Sequence, residues 1–180
     1  SIWLSPFYLG VKMNRNIKYI LSFISLVGLQ VLVLNNFQIF GYLNPKVYPL
    51  FLLILPPKIN RALLFFIAFG LGLTIDVFEN SGGVHASATL FLGFIRPMLL
   101  RIITTPGSND VTKLNLGFLG IPKFLSYLIP AIMLHHLWLF TLEAFTFSYY
   151  YLVLYETLIS SAFSILLIFT LELLFNRNSD

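Results

Sequence analysis

The 180-residue chain is 58% hydrophobic and only 10% charged, with a formal net charge of +4. Soluble domains carry about 25% charged residues, so a water-facing surface cannot be assembled from this composition, and a mean hydropathy of +0.87 agrees. The eleven Lys and Arg lie singly between apolar blocks, which excludes a basic nucleic-acid-binding patch; the absence of cysteine excludes disulfides, thiolate metal sites and a cysteine nucleophile.

The chain opens at Ser1, but Met13-Asn14-Arg15-Asn16-Ile17-Lys18 reads like a natural start, so residues 1–12 are expected to be an upstream extension outside the fold. Residues 13–180 then form a single membrane domain. The apolar run from Ile17 to Leu34 is long for a signal peptide and lacks a small-x-small cleavage site. It is expected to stay attached as the first span.

A helix needs about 20 mostly apolar residues to cross a hydrocarbon core of ~30 Å. About six segments qualify, at 18–36, 42–57, 62–78, 84–104, 122–143 and 150–175. The second is short, carries Pro45, Pro49, Pro56 and Pro57, and reads as broken or re-entrant. The expected fold is an all-α integral membrane protein with about six transmembrane helices in one bundle. Lys and Arg gather on the cytoplasmic side of membrane proteins. With both termini cytoplasmic, Lys12, Arg15, Lys18, Lys58, Arg61, Arg96, Arg101, Lys113, Lys123 and Arg177 all fall at or toward the inner side, and only Lys46 lies outside. The longest connection, 105–121, contains the turn-forming cluster Pro106-Gly107-Ser108-Asn109-Asp110 and is expected to be a cytoplasmic loop.

Ionisable side chains inside apolar spans cost at least a few kcal/mol on insertion scales, so each is a candidate site. Glu156 lies six residues into the sixth span, about 9 Å deep, and His136 lies at a similar depth in the fifth. Glu156 is therefore expected to meet His135 or His136, either as a buried bond that fixes helix packing or as a proton relay or ligand contact. Asp76 closes the third span and His85 opens the fourth, across the turn Glu79-Asn80-Ser81-Gly82-Gly83. That pair reads either as a capped turn or as an outward polar mouth for a partner or small molecule. Arg96, followed by Pro97, reads as a structural clamp or a partner contact, its guanidinium snorkelling to headgroups or reaching buried carbonyls. Gly70, Gly72 and Thr74 give the third helix a small face for close packing. No zinc-protease, nucleophile-elbow or phosphate-loop pattern is present, and the histidines have no recognisable metal-ligand spacing. A non-enzymatic protein without cofactor or metal is expected.

The stretch Gly70-Leu71-Gly72-Leu73-Thr74-Ile75-Asp76-Val77-Phe78, then Gly83-Val84-His85-Ala86, then Phe94-Ile95-Arg96-Pro97, resembles the MreD family of rod-shape-determining membrane proteins, especially Bacteroidetes-type members. So does Leu29-Gln30-Val31-Leu32-Val33-Leu34-Asn35-Asn36 followed by Phe40-Gly41-Tyr42 and Pro45. The likeness covers most of 13–101 as ordered motifs; beyond that it is one of span number and hydropathy. It implies a scaffold of the cell-elongation (rod) complex in the bacterial inner membrane, acting in cell shape and peptidoglycan synthesis. The implied partners are MreC, with MreB, RodA and its penicillin-binding partner possible as well, and membrane lipid. It also implies a helical fold similar to the substrate-binding subunits of energy-coupling-factor vitamin transporters, and such an uptake subunit is the alternative reading. Asp76, Gly83, His85, Arg96 and Pro97 match the family's recognisable positions.

Overall fold

The computed structural model describes residues 14–36, 43–104, 111–145 and 150–176. The expected extension at 1–12, Phe40-Gly41-Tyr42, the Pro106 to Asp110 cluster and Arg177 lie outside the described residues. Among the described residues the chain is all helical: α1 Arg15–Leu32, a 3-10 turn at Leu34–Asn36, α2 Leu50–Ile54, α3 Arg61–Glu79, α4 Val84–Ile103, α5 Leu116–Ala144 and α6 Tyr150–Asn176. Four of these, α3 to α6, are long and apolar enough to cross a membrane. The protein is membrane-embedded on that ground.

Local chemistry sets the boundaries. Asn60 Oδ1 accepts the Ala62 and Leu63 amides at 2.8 and 3.4 Å and so starts α3. Asn80 ends it in the left-handed region, at φ 54°. Gly83, at φ 99°, then opens α4 after a four-residue turn. α5 begins at Leu116, earlier than expected, because a first helical turn precedes a break at Gly120 (φ 74°, ψ 163°); Pro122 then restarts the helix at a position that needs no N–H.

Consecutive helices pack side by side, α3 on α4, α4 on α5 and α5 on α6, while α1 leans on α2 and α3. Gly72 allows the closest approach: a Cβ there would overlap Thr89 Oγ1, Ala86 Cα and His85 O. The core runs through Leu26, Leu52, Leu71, Leu92, Tyr127 and Ile168. Outward-facing positions are equally apolar, with Phe66, Val77, Phe94 and Met98 all more than 70% exposed. Such a surface suits lipid and not water.

The second predicted span is the main departure. In place of a continuous helix, residues 43–57 form a non-helical stretch interrupted by the five-residue α2, which is wholly buried. Lys46 reaches Glu79 at the carboxyl end of α3, Leu55 meets Arg96 twelve residues into α4, and the chain then enters α3 at Arg61. Residues 46–60 therefore run the length of α3 in the opposite direction, inside the bundle.

Irregular backbone at this depth survives only where protein satisfies its polar groups. Pro45, Pro49, Pro56 and Pro57 have no N–H to satisfy. Asn44 N donates to Ser160 Oγ at 3.0 Å and Lys46 N to Ser164 Oγ at 2.9 Å. Val47 N donates to Gln30 Oε1 at 2.8 Å, and Gln30 Nε2 donates to Pro45 O at 3.2 Å. The spacing explains the match with α6: two extended residues cover about 6.6 Å and one helical turn of four residues about 6.0 Å. Ser160 and Ser164 thus face alternate amides of the segment.

Candidate functional site

At the α3–α4 turn a buried polar cluster joins four elements. Lys46, 1% exposed, places Nζ 2.9 Å from both carboxylate oxygens of Glu79. A buried ammonium without such a partner would cost several kcal/mol. His85, fully buried, lies between two carboxylates: Nδ1 is 3.2 Å from Asp76 Oδ1, and Nε2 is 3.2 Å from Glu79 Oε2, outside hydrogen-bond geometry but at ion-pair distance.

Asp76 is the hub. Its Oδ1 accepts from Ser81 Oγ at 2.6 Å and from the His85 amide at 2.9 Å, and its Oδ2 accepts the Ala86 amide at 2.8 Å. The reason is local. Gly83 occupies the N-cap position of α4 and has no side chain to cap with, so the carboxylate from the last turn of α3 takes the free amides.

The cluster continues inward through Tyr48, whose hydroxyl lies 3.1 Å from His135 Nε2 and whose ring lies 5.9 Å from that of His85. His136 follows on α5. Its Nδ1 donates to Ile132 O at 2.9 Å, leaving Nε2 to accept from Ser164 Oγ at 3.2 Å. Ser164 thereby bridges His136 to the Lys46 amide. Its hydroxyl is engaged on both sides, which makes it a structural link and not a free nucleophile.

The structure separates Glu156 from both histidines. No hydrogen bond joins them among the described residues, and the correction has a geometric cause. His136 meets α6 at Ser164, eight residues past Glu156 and therefore about 12 Å further along the helix. Glu156 is half-buried, near the start of α6.

Arg96, 1% exposed, does not snorkel. Its Nη2 donates to Leu55 O and, at 3.3 Å, to Pro56 O, while Tyr127 Oη donates to Leu53 O at 3.3 Å. The guanidinium thus sits on the carboxyl end of α2, where a cation is favoured and orphan carbonyls need donors. Pro97 follows it inside α4. These carbonyls lie just past the carboxyl end of α2, and not in α4 beside Pro97.

Sequence reasoning missed Lys46, Gln30, Ser164 and Glu172. Glu172, 5% exposed, accepts the Leu116 amide at 3.0 Å, a second carboxylate capping a neighbouring helix at the opposite end of the bundle. The available signal was polarity itself: each is a lone polar residue in or beside an apolar run.

Beside the cluster, and sharing Asp76 with it, an open groove of about 650 Å³ runs along α3 and α4, with Phe69, Leu73 and Val77 on one wall and Gly83, Ala86 and Leu90 on the other. Asn80 and Ser87 also line it. Among the described residues no three His, Asp or Glu side chains are grouped to hold a metal ion. No protein-family model, curated protein or solved structure matches the chain.

Proposed function

We propose that the chain is a non-enzymatic scaffold of the bacterial inner membrane, of the MreD type, that holds the single membrane anchor of an MreC-like partner in the rod complex. In this reading the fold is of the kind found in energy-coupling-factor substrate-binding subunits. α1, the buried segment with α2, and α3 to α6 make six crossings. Both termini and the ends bearing Lys58, Arg61, Arg101 and Lys113 face the cytoplasm, where basic residues collect.

The observation that carries this reading is how the interior polar groups are used. Lys46, Asp76, Glu79, His136, Ser164 and Arg96 are committed to fixing the buried segment and the α3–α4 turn. What the bundle offers a partner is a rigid outer face. The α3–α4 groove supplies small residues, Gly83 and Ala86, for close helix approach, and polar Asn80 and Ser87 for a hydrogen bond. Helices associate in lipid through those two features and not through apolarity, which lipid matches equally well.

Co-purification with the MreC of the same organism tests this. Val77→Trp, at a 73% exposed groove position, is expected to abolish the complex while membrane insertion and helix content persist. Unchanged complex yield would reject the groove as the docking face, and depletion that leaves cell shape intact would reject the role. One observation favours the uptake-subunit alternative: His135 Nδ1 and Ser161 Oγ are buried with no hydrogen-bond partner among the described residues. A vitamin-like ligand recovered by mass spectrometry from the purified protein would select that reading.

A further inference from the structure

We propose that the groove between α3 and α4 seats one ester-linked phospholipid, with an acyl chain along its apolar walls and the carbonyl of that chain accepting the hydrogen of Ser87.

Ser87 departs from the threonines of the same bundle. Thr74, Thr89, Thr141, Thr157 and Thr170 each donate to a carbonyl one turn back in their own helix, a common way for a hydroxyl inside a helix to be satisfied. Ser87 Oγ instead accepts from Trp138 Nε1 at 3.1 Å, and no described residue accepts its own hydrogen. The indole is fixed in turn by stacking on Phe91, with ring centroids 4.4 Å apart and planes 11° from parallel. Trp138 stands outside the groove, whereas Ser87 lines it. A half-buried hydroxyl is thus held at the groove with a hydrogen to give, in surroundings where an unmet donor is costly.

Length and polarity identify the acceptor. From Phe69 to Asn80 the groove follows eleven residues of α3, about 16 Å at 1.5 Å per residue and so half of a hydrocarbon core of ~30 Å. Its occupant therefore comes from one leaflet, the one on the side of the α3–α4 turn. Phe69, Leu73 and Leu90 supply walls for a hydrocarbon chain, and the volume of about 650 Å³ lies within the roughly 300–1,000 Å³ of small-molecule sites. Ser87 lies four residues past Gly83, about 6 Å along α4 from the turn. That depth is the boundary zone beneath the headgroups, where the acyl esters of a phospholipid lie and tryptophan collects. The only charged lining residue is Asp76, with no Lys or Arg beside it in the lining. A phosphate oxygen is repelled from such a wall, and an uncharged ester carbonyl is not.

The lipid fills the groove while no partner is docked, and a partner's anchor would displace it. The seat itself goes beyond the scaffold reading and stands without it.

Ether-linked lipid, which has no carbonyl, separates this contact from ordinary solvation by lipid. The chain has two tryptophans, so Trp3→Phe leaves Trp138, beside Ser87, as the sole indole. The full chain is placed in nanodiscs of dialkyl-ether phosphatidylcholine or of diacyl phosphatidylcholine. Ester-linked phosphatidylcholine with brominated acyl chains, which quench indole fluorescence at short range, is then mixed into each. Half-maximal quenching is expected at a brominated fraction about three- to tenfold lower in the ether background than in the diacyl background, the range set by one hydrogen bond. Ser87→Ala, made on the Trp3→Phe chain, is expected to bring the two curves together. Coincident curves with Ser87 present, which mean contact with bulk lipid only, or an ether-background preference that survives Ser87→Ala, overturn the proposal. No partner takes part, so the docking face is judged separately by Val77→Trp.

Discussion

Gln30→Leu removes one side chain of α1 and exposes the dependence of the buried segment on side-chain partners. Gln30 is fully buried, accepts the Val47 amide at 2.8 Å, and donates to Pro45 O at 3.2 Å and Asn35 Oδ1 at 2.9 Å. Leucine fills similar space and offers neither function, leaving a buried backbone N–H and a buried carbonyl unmet. Each orphan costs about 1–3 kcal/mol, so the expected loss for the two is about 2–6 kcal/mol. Side-chain bonds in membrane proteins often yield only ~0.6 kcal/mol, because alternative partners are found. Here the orphans belong to non-helical backbone beside Pro45, which cannot rebuild a helix around them. Detergent-driven unfolding in mixed micelles reads the change. Ser22→Ala is the control, since Ser22 Oγ is buried with no partner among the described residues and its removal should be neutral or mildly stabilising. A Gln30→Leu change below about 0.5 kcal/mol would refute the claim that Gln30 sustains the segment.

Other outcomes follow from the same contacts. Gly72→Ala should cost at least about 2 kcal/mol, because the new methyl meets backbone atoms of α4, whereas Gly70→Ala, with open space around it, should be neutral or slightly stabilising; paired melting curves distinguish the two. Asp76→Asn retains one acceptor and turns an amide group toward donors, with an expected loss of about 2–4 kcal/mol and a fall of roughly 5–15 °C in Tm. Ser164→Ala orphans both the Lys46 amide and His136 Nε2 and should destabilise by about 2 kcal/mol or more, read by the same detergent titration.

Helix boundaries were legible where the chain carries its own punctuation. Asn60, Asn80 and Gly83 mark α3 and α4 to within a residue or so, because capping is local chemistry. The meeting of Asp76 with His85 was legible for the same reason, since the turn between them is short. The register between distant elements was not. Depth counting set Glu156 opposite His136 by assuming that α5 and α6 end level, whereas the Lys46 amide draws Ser164 to that position. Lys46 itself reads as a surface charge beside Pro45; its burial depends on Glu79, a residue 33 positions away that the sequence does not pair with it. The prolines at 45, 49, 56 and 57 warned that the second span was broken. That it stays inside the bundle rests on Gln30, Ser160, Ser164, Tyr127 and Arg96, whose convergence is tertiary.

Sidedness of the buried segment is the most direct test of a chain that crosses the bilayer through residues 46–57. Single cysteines replacing Val33, Lys58, Asn80 and Thr112 are treated in intact cells with a membrane-impermeant thiol reagent. Val33→Cys and Asn80→Cys are expected to react from outside, and Lys58→Cys and Thr112→Cys only after the membrane is opened. Labelling of Val33→Cys and Lys58→Cys from the same side would contradict the crossing, and with it the six-passage scaffold.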